Sequence, residues 1–475
     1  MDRAAAEVLL DGDRETAIAL LLRLDELLEA NRRLEARVAD LERQLSRNSR
    51  NSSLPPSLDP PSAPPRPRPP RSGRSPGGQP GHEGRQRRLL PLERVDEVVE
   101  HWPQRCSACA RPFSEDEHRD AAAPQRHQVC ELPVIAARVS EHRLHRLRCP
   151  QCGAETRAAL PPEVPPGAFG PRLQAAVASL AVRNRVSRRD TTELLAELFG
   201  AQLSVGSVDA ILQHAAQALE EPYADLLAHV RAAPALNIDE TGWRLRGGKR
   251  TLWGALTSRA AVFRIAPDRH RREAQALLGE GFAGIACSDR WWAYDYLDPE
   301  QRQFCWAHLV RDLTAHSEGL GAQQQFGAAG LEISKRLFAA WGEFREDGDR
   351  ACLLERIAPL QEELRALLEE AARKSARNRR HRTFAKNLLK RWPALWTFAG
   401  VPGVEPTNNH AERGLRGAVI YRKLSLGSQS EEGERGIARL LSASVTCRLQ
   451  KRSLFAFLAE VLTGEVRGDP VPLLS

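Results

Sequence analysis

Hydrophobic residues recur every seven positions near the N-terminus. The d position of this heptad is occupied by Leu20, Leu27, Leu34 and Leu41, and the a position by Ala17, Leu24, Asn31, Val38 and Leu45. Leucine at d with a single asparagine at a is typical of a parallel two-stranded coiled coil, because paired asparagines satisfy each other in only one register. The pattern predicts a leucine zipper over residues 1–48 and therefore a homodimer or higher oligomer. An amphipathic helix packed on its own chain is the alternative.

The periodicity is lost over residues 49–95. Eleven of residues 55–80 are proline, and arginines are scattered among them. Such a composition cannot bury enough apolar surface to offset the entropy of ordering it, which predicts a disordered linker. The linker either follows the phosphates of a polyanion or is a solvated tether, and the pattern favours neither.

Two Cys-x-x-Cys pairs follow, Cys106 with Cys109 and Cys149 with Cys152, separated by 39 residues. Four thiolates at this spacing suit tetrahedral Zn²⁺, and four protein ligands leave no open position for catalysis. The pattern predicts a zinc-binding ribbon over residues 96–160 with one structural zinc. Between the pairs, ELPVIAARVSEHRLHRLRCP alternates as strands do. Cys130 and nearby histidines are substitute ligands that the spacing leaves open.

Helical periodicity returns at residues 161–232. The predicted helices are 171–183, 188–199 and 205–219, with Ser187, Ser204 and Ser207 as candidate N-caps. The short break FGAQLS before the third helix is compatible with a DNA-binding helix-turn-helix. A small helical domain without DNA contact is the alternative.

From Ala235 the period becomes that of strands. ALNIDETGW predicts a strand ending in Asp239, GGK at 247–249 a hairpin turn, and TLWGALTS and AAVFRIA two further strands. A helix follows, then a fourth strand, GIACSD, ending in Asp289, and a fifth strand that leads into a helix. This is the strand order of a ribonuclease-H-like core, in which the first and fourth strands are parallel neighbours. The two aspartates are therefore expected to converge. The fold class is multidomain α/β: a core over 233–425, a helical insertion at about 314–403 and a helical region over 426–475.

A third carboxylate is needed to hold two divalent cations for phosphodiester chemistry. Glu412 is the best candidate, in the first turn of a helix that Asn408 or Asn409 can cap. Basic residues surround it in the sequence: Arg413, Arg416, Arg422 and Lys423. Alternatively, the two aspartates are strand-end caps and Glu412 only favours the helix dipole. The rival acids are Glu240, Asp295 and Asp312.

Charge is distributed unevenly in the helical insertion. Residues 373–391 hold nine Lys or Arg and no acid, and the whole chain has a net charge of +8. A helix face so one-sided in charge predicts contact with DNA phosphates through Arg377, Arg379, Arg380 and Arg382, although a solvated helix is the alternative. Two patterns that would change this picture, an 18-residue apolar run and a secretory signal, are missing from the sequence. A cytoplasmic, nucleoid-associated protein is expected.

The chain resembles the insertion sequence 66 family of transposases. The stretches that carry the resemblance are SRNSRNSSLPPS, GGQPGHEG, the two Cys-x-x-Cys pairs, IDETGW, SDRWWAYD, CWAHLVRDL and NNHAERGLR. After YRK many relatives carry an Asn-Trp-Leu-Phe segment, whereas this chain reads LSLGSQSEEG, which leaves its subgroup open.

The resemblance implies a DDE transposase with Asp239, Asp289 and Glu412 as the Mg²⁺ (or Mn²⁺) ligands. Further residues implied to line or support the site are Cys305, Trp306, His308 and Arg311. The partners expected are DNA at the element ends and at the target, and accessory proteins encoded by the same element. Two rival functions remain: a nuclease of the same fold that never joins strands, and an inactive zinc- and zipper-containing DNA-binding regulator.

Overall fold

The computed structural model describes residues 14–45, 89–117, 123–373 and 379–475. Most of the predicted linker, with the SRNSRNSSLPPS and GGQPGHEG stretches, lies outside these residues, as does Arg377. The chain falls into two compact units, one comprising residues 64–137 and the other residues 1–63 with 138–475.

The heptad segment is a single helix, α1, Arg14–Leu45. Its apolar stripe is exposed: Leu27 and Leu34 each leave more than half of their surface accessible. Asn31 donates a hydrogen bond to Glu35 of the same helix at 3.3 Å. No residue in the described part of the chain covers the described leucines of this stripe. The coiled-coil dimer stays a prediction.

The strand-like alternation ahead of Cys149 produces little sheet. Only Arg146–Arg148 (β1) is a strand there, and it pairs antiparallel with Glu155–Arg157 (β2). Residues 123–145 contain no regular element. The predicted strands are wrong for that stretch because alternation stabilises a strand only when one face is buried, and side chains such as Val134 are fully exposed.

Four helices precede the main sheet: α2 (Pro171–Val182), α3 (Arg188–Phe199), α4 (Val205–Ala218) and α5 (Glu220–Arg231). The first three match the predicted ranges to within one residue. Ser187 and Ser204 cap α3 and α4, their hydroxyls accepting from the amides of Asp190 and Ser207. Ser207 is therefore not a cap itself. Gly200 ends α3 in the left-handed region at φ 65°, which glycine adopts at little cost.

The main sheet has five strands: β3 (Ala235–Leu245), β4 (Gly248–Leu256), β5 (Ala261–Ala266), β6 (Ile285–Ser288) and β7 (Arg302–Phe304). Helix α6 (Arg271–Leu278) connects β5 to β6. The order of the strands across the sheet is β5-β4-β3-β6-β7. The first three strands are antiparallel, and β6 pairs parallel with both β3 and β7. The predicted side-by-side, parallel placement of the first and fourth strands is present.

The hairpin turn between β3 and β4 differs by one residue from the prediction. Leu245 pairs with Gly248, so the turn is Arg246–Gly247 rather than residues 247–249. Both turn residues have positive φ, 48° and 81°. Two such residues make the tight turn whose twist matches that of the flanking strands.

The helical insertion has a hydrophobic core of its own. It comprises α7 (Trp306–Ser317), α8 (Ala322–Asp347), α9 (Arg350–Arg373), α10 (Arg379–Lys390) and the single turn α11 (Thr397–Gly400). Residues such as Leu337 and Leu364 form this core together with Phe304 of β7. The Trp306 ring nitrogen donates to the carbonyl of Leu395 at 2.8 Å and ties α7 to the end of the insertion.

Three helices close the chain: α12 (Asn409–Ser425), α13 (Glu431–Leu449) and α14 (Leu454–Arg467). They share one hydrophobic core with α2 to α5 and the sheet. The domain limits drawn at 232 and 425 therefore fall inside a continuous core. Helix α13 covers the edge of β5 that no described strand pairs with. There the hydroxyls of Ser442 and Thr446 accept hydrogen bonds from the backbone amides of Phe263 and Ala261. None of the helices in the described residues is long and apolar enough to cross a bilayer.

Candidate active site

Asp239 and Asp289 lie beside each other because of the strand register. Asn237 pairs with Cys287 across the parallel strands, and each aspartate follows two residues later. Burial, reinforced by the charge of Glu240 and then those of Asp289 and Glu412, raises the pKa of Asp239 to about 8. The amide of Glu240 donates to Asp239 at 2.9 Å and opposes this rise. A buried carboxyl surrounded by acids is a position that favours a bound cation.

Asp289 is held in a fixed orientation at the end of β6. Its Oδ1 accepts from the amide of Trp291 at 2.8 Å, and its Oδ2 accepts from the guanidinium of Arg269 at 3.3 Å. About 18% of the side chain is exposed, enough for a ligand to approach. The aspartate is thus oriented by its own loop and by a cation from the segment after β5.

Glu412 lies in the first turn of α12, the helix position that the sequence predicts for it. Its Oε1 lies 4.0 Å from Nε2 of His308 on α7. Burial first, and then the charge of Arg311, lower the pKa of His308, so its neutral form is favoured near neutral pH. The charges of Asp289 and Glu412 act in the opposite direction, which places both carboxylates close to this imidazole.

The N-terminus of α12 is docked on β3 by Asn408, a fully buried residue. Its Nδ2 donates to the carbonyl of Ile238 at 2.8 Å, and its Oδ1 accepts from Asn237 at 3.0 Å. The Asn408 amide donates to Sγ of Cys305 at 3.1 Å. The sequence offered Asn408 as a candidate helix cap, but its side chain does not cap α12. It joins the helix that carries Glu412 to the strand that carries Asp239.

Close packing also holds α12 against the sheet. A Cβ on Gly414 would lie 2.3 Å from a side-chain carbon of Leu256, so a larger residue at this helix position would require the Leu256 side chain to move. The imidazole Nε2 of His410 lies 2.7 Å from the carbonyl of Thr257. Both contacts fix the height of Glu412 above the strand ends.

A buried ion pair beside the aspartates was missed by the sequence reasoning. Glu240 is 1% exposed in its side chain, pairs with Arg269 and accepts from the hydroxyl of Tyr294. Arg269 also stacks on the ring of Trp291 at 4.3 Å. We call Asp239, Asp289 and Glu412 the carboxylate cluster. The guanidinium of Arg269 therefore bridges Glu240 and Asp289 at the edge of this cluster. The only signal in the sequence was a second acid directly after Asp239.

The other rival acids are engaged elsewhere. Asp295 pairs with Arg302 and Arg391, and Asp312 pairs with Arg290. These acids connect β6 and β7 to the insertion rather than joining the cluster. The guanidinium-bearing residues predicted to support the site are exposed on α7 and α12: Arg311, Arg413 and Arg416.

The two Cys-x-x-Cys pairs form the same local turn. In each, the amides of the two residues at the end of the turn donate to the first sulfur and lower its pKa: Ala108 and Cys109 act on Cys106, and Gln151 and Cys152 act on Cys149. Backbone amides directed at a sulfur stabilise its thiolate, the form that binds metal.

The predicted DNA contacts on α10 are mostly not described. Arg379 and Arg380 lie in the helix, but their side chains are outside the described residues, and Arg382 is half-buried. Neighbouring Phe384 and Leu388 pack into the insertion core. The contact between this helix and DNA therefore stays a prediction.

Comparison with known proteins gives two family matches. The model described as "Transposase IS66 family" matches residues 166–436, more than half of the chain. A family of unknown function (DUF6444) matches residues 10–88. The first match contains all five strands of the main sheet together with Asp239, Asp289 and Glu412.

Two relatives from Sinorhizobium fredii are similar in sequence. "Uncharacterized protein y4hP" is 25% identical over 369 residues, which cover 69% of this chain and 65% of the relative. "Uncharacterized protein y4jD" is 27% identical over 297 residues, which cover 57% and 58%. The chain thus spans less than two thirds of the length of either relative. Because the family model covers the sheet, the carboxylate cluster and the helix that carries Glu412, we conclude that the chain belongs to the IS66 family of transposases.

Proposed function

We propose that this protein cleaves DNA at the ends of an insertion sequence and joins the freed ends to target DNA, using Asp239, Asp289 and Glu412. The observation that carries this proposal is the convergence of the three carboxylates at the ends of two parallel neighbouring strands. The order and direction of the five strands support a ribonuclease-H-like core. In the proposed reaction, water attacks a phosphodiester and releases a 3′-hydroxyl, which then attacks a phosphodiester of the target.

The residues present fit a divalent cation. Carboxylate oxygens are the ligands that Mg²⁺ and Mn²⁺ prefer, and burial together with the neighbouring acids raises the pKa of Asp239. Among the described residues no three acidic, histidine or cysteine side chains already form a metal cage. Asp239, Asp289 and Glu412 would hold the cation. When bound, the metal activates the attacking oxygen and stabilises the leaving oxygen.

The protein's own groups supply orientation and charge. Asn408 holds the helix that carries Glu412 against the strand that carries Asp239, and His308 lies 4.0 Å from the Glu412 carboxylate. The exposed guanidiniums of Arg311, Arg413 and Arg416 are placed on the two helices that flank the cluster, where they can pair with phosphate oxygens. Such fixed charges stabilise a transition state because they need no reorganisation during the reaction.

The test is cleavage and joining of a labelled element end by Asp239→Asn, Asp289→Asn and Glu412→Gln. Each variant is expected to lose at least about 10³-fold in both reactions and to bind the same DNA nearly as wild type does, because one anionic ligand is removed from a shared site. Glu405→Gln, an exposed acid seven residues before Glu412, is the matched control. Wild-type cleavage by Glu412→Gln would show that the third ligand is another residue. Cleavage without joining in the wild type would favour a nuclease.

We also propose that the exposed stripe of α1 pairs with a second copy of the chain. Asn31→Leu is expected to stabilise the paired helices and to loosen the choice of oligomer, because a buried amide costs stability but specifies register. Sedimentation of residues 1–48, wild type and variant, measures both effects. A wild-type segment that stays monomeric at high micromolar concentration would rule out the zipper.

A further inference from the structure

A basic groove lies beside the β3–β4 hairpin, with a volume of about 700 Å³. Its wall contains six positively charged side chains: Arg244, Lys249, Arg250, Arg269, Arg422 and Lys423. The one acid in the wall, Asp268, pairs with Arg272. We call these residues the hairpin groove. Its charge is strongly one-sided, and no pattern in the sequence predicted it.

The hairpin groove leads to the carboxylate cluster. Arg269 belongs to its wall and also contacts Glu240 and Asp289. Lys249, the second residue of β4, and Lys423, in the last turn of α12, belong to the same wall. A polyanion lying in the groove would therefore reach the candidate metal ligands at one end.

Of the six cations in the wall, Lys249 and Lys423 are the least engaged in ion pairs and hydrogen bonds. Arg250 is engaged by Glu434 at 3.5 Å, and Arg422 donates to the carbonyl of Gly242. Lys249 and Lys423 are exposed, and neither side chain has an ion pair or hydrogen bond to any residue that the structure describes. Two uncommitted ammonium groups in one positively charged groove repel each other unless an anion lies between or beside them.

The groove is held rigid by the segment that follows α12. Ser428 exchanges backbone hydrogen bonds with the hairpin: its amide donates to Arg244 at 2.9 Å, and its carbonyl accepts from Arg246 at 3.0 Å. Its hydroxyl accepts from the ring nitrogen of Trp243 at 3.1 Å. Gly427 has φ 98°, and a Cβ there would lie 2.3 Å from the carbonyl of Arg244. This segment is part of LSLGSQSEEG, where the chain departs from the family pattern.

We propose that the hairpin groove binds the phosphates of duplex DNA that runs into the carboxylate cluster. This inference rests on the proposed function, and it names the surface that holds the substrate. Charge complementarity and continuity with the cluster favour DNA over an acidic peptide, since phosphates recur at regular spacing and match a line of cations. By contrast, Arg382 on α10, which the sequence also predicts to contact DNA, is half-buried.

The test is the salt dependence of binding to a short random-sequence duplex, without added divalent cation. Lys249→Gln/Lys423→Gln is expected to lower the slope of log affinity against log salt by up to about 1.8, at about 0.9 for each phosphate that the variant no longer neutralises. Lys249→Arg/Lys423→Arg keeps the charge and should keep the slope. Lys335→Gln/Arg345→Gln on α8 is the matched control, with two exposed cations removed elsewhere. A slope equal to wild type in the groove variant, with the melting temperature unchanged, would overturn the proposal.

A second measurement locates the interaction on the DNA. Single phosphates near the cleaved bond are replaced by neutral methylphosphonates, and binding is measured for wild type and for Lys249→Gln. If Lys249 binds one of these phosphates, the two reductions in affinity are less than additive at that position. Additive reductions at every position would place Lys249 away from the reacting strand and overturn the proposal. Neither measurement uses cleavage, so failure of the metal-ligand assignment would not be mistaken for failure of the groove.

Discussion

The carboxylate cluster and the two cysteine turns are both metal-binding candidates, yet they are built in opposite ways. Asp239, Asp289 and Glu412 come from distant parts of the chain and converge only through strand register and the docking of α12. Each cysteine turn is complete within four residues and is exposed or half-exposed. In the cluster, burial and then neighbouring negative charge raise the pKa of Asp239, whereas in the turns backbone amides directed at sulfur lower the pKa of Cys106 and Cys149.

This contrast indicates where metal binding should act. The sheet that carries the cluster is packed in a large hydrophobic core shared with the surrounding helices, so we expect its fold not to depend on a cation. Around the cysteine turns the described side chains are mostly exposed, and little apolar surface is buried. Zinc there would supply folding free energy, while a cation at the cluster would relieve repulsion in a folded site.

The largest expected effect is loss of zinc from the cysteine turns. Cys106→Ser and Cys149→Ser should each reduce the bound zinc from about one per chain to near zero, since binding at such sites is worth about 10–16 kcal/mol. Protease cleavage of residues 96–160 should then accelerate while the sheet region stays resistant. Metal analysis with limited proteolysis measures both. Cys130→Ser is the matched control, and zinc loss in that variant would reveal a different ligand set.

Removing the Asn408 side chain should disconnect Glu412 from the sheet. Asn408→Ala leaves the Ile238 carbonyl and the Asn237 side-chain amide without these partners, at a cost of roughly 1–3 kcal/mol for each group that stays buried. The melting temperature should fall by about 2–4 °C for each kcal/mol in a unit of this size. Asn409→Ala, one residue later, is the control. Calorimetry that finds equal melting temperatures for both variants would contradict the docking role.

A further expected effect is a change in pH dependence. The pKa of Asp239 is about 8 in the folded protein against an ordinary value of 3.8, so the folded state binds the proton more tightly. The stability of the metal-free protein should therefore fall as pH rises from about 4 to about 8. Asp239→Asn should flatten this decline and raise the melting temperature at pH 8 by a few degrees.

Added Mg²⁺ sharpens the same measurement. It should stabilise the wild type more at pH 8 than at pH 6, because Asp239 must lose its proton to bind the cation, and it should have little effect on Asp239→Asn. Melting curves of both proteins at the two pH values, with and without Mg²⁺, give the stabilisation by Mg²⁺ in each case. Equal stabilisation of both proteins by Mg²⁺ would show that the cation binds elsewhere.

Elements governed by local chemistry were predictable from the sequence. The helices α2 to α4 begin and end within one residue of the predicted limits, since serine caps and apolar periodicity act over a few residues. The pairing of β3 with β6 followed from the order of strands and the positions of two aspartates. The alternation before Cys149 failed as a predictor because nothing buries one face of that segment.

The residues alone indicated the candidate groups, namely three acids, two Cys-x-x-Cys pairs and a heptad repeat, and they also indicated the family. The folded chain was needed to show that Arg269 bridges Glu240 and Asp289, that Asn408 docks a helix rather than capping it, and that six cations share one groove. The physical reason is distance along the chain. Caps and turns are set by neighbours in sequence. Burial, charge coupling and the shape of the groove arise from residues that meet only when the helices before and after the sheet have packed against it.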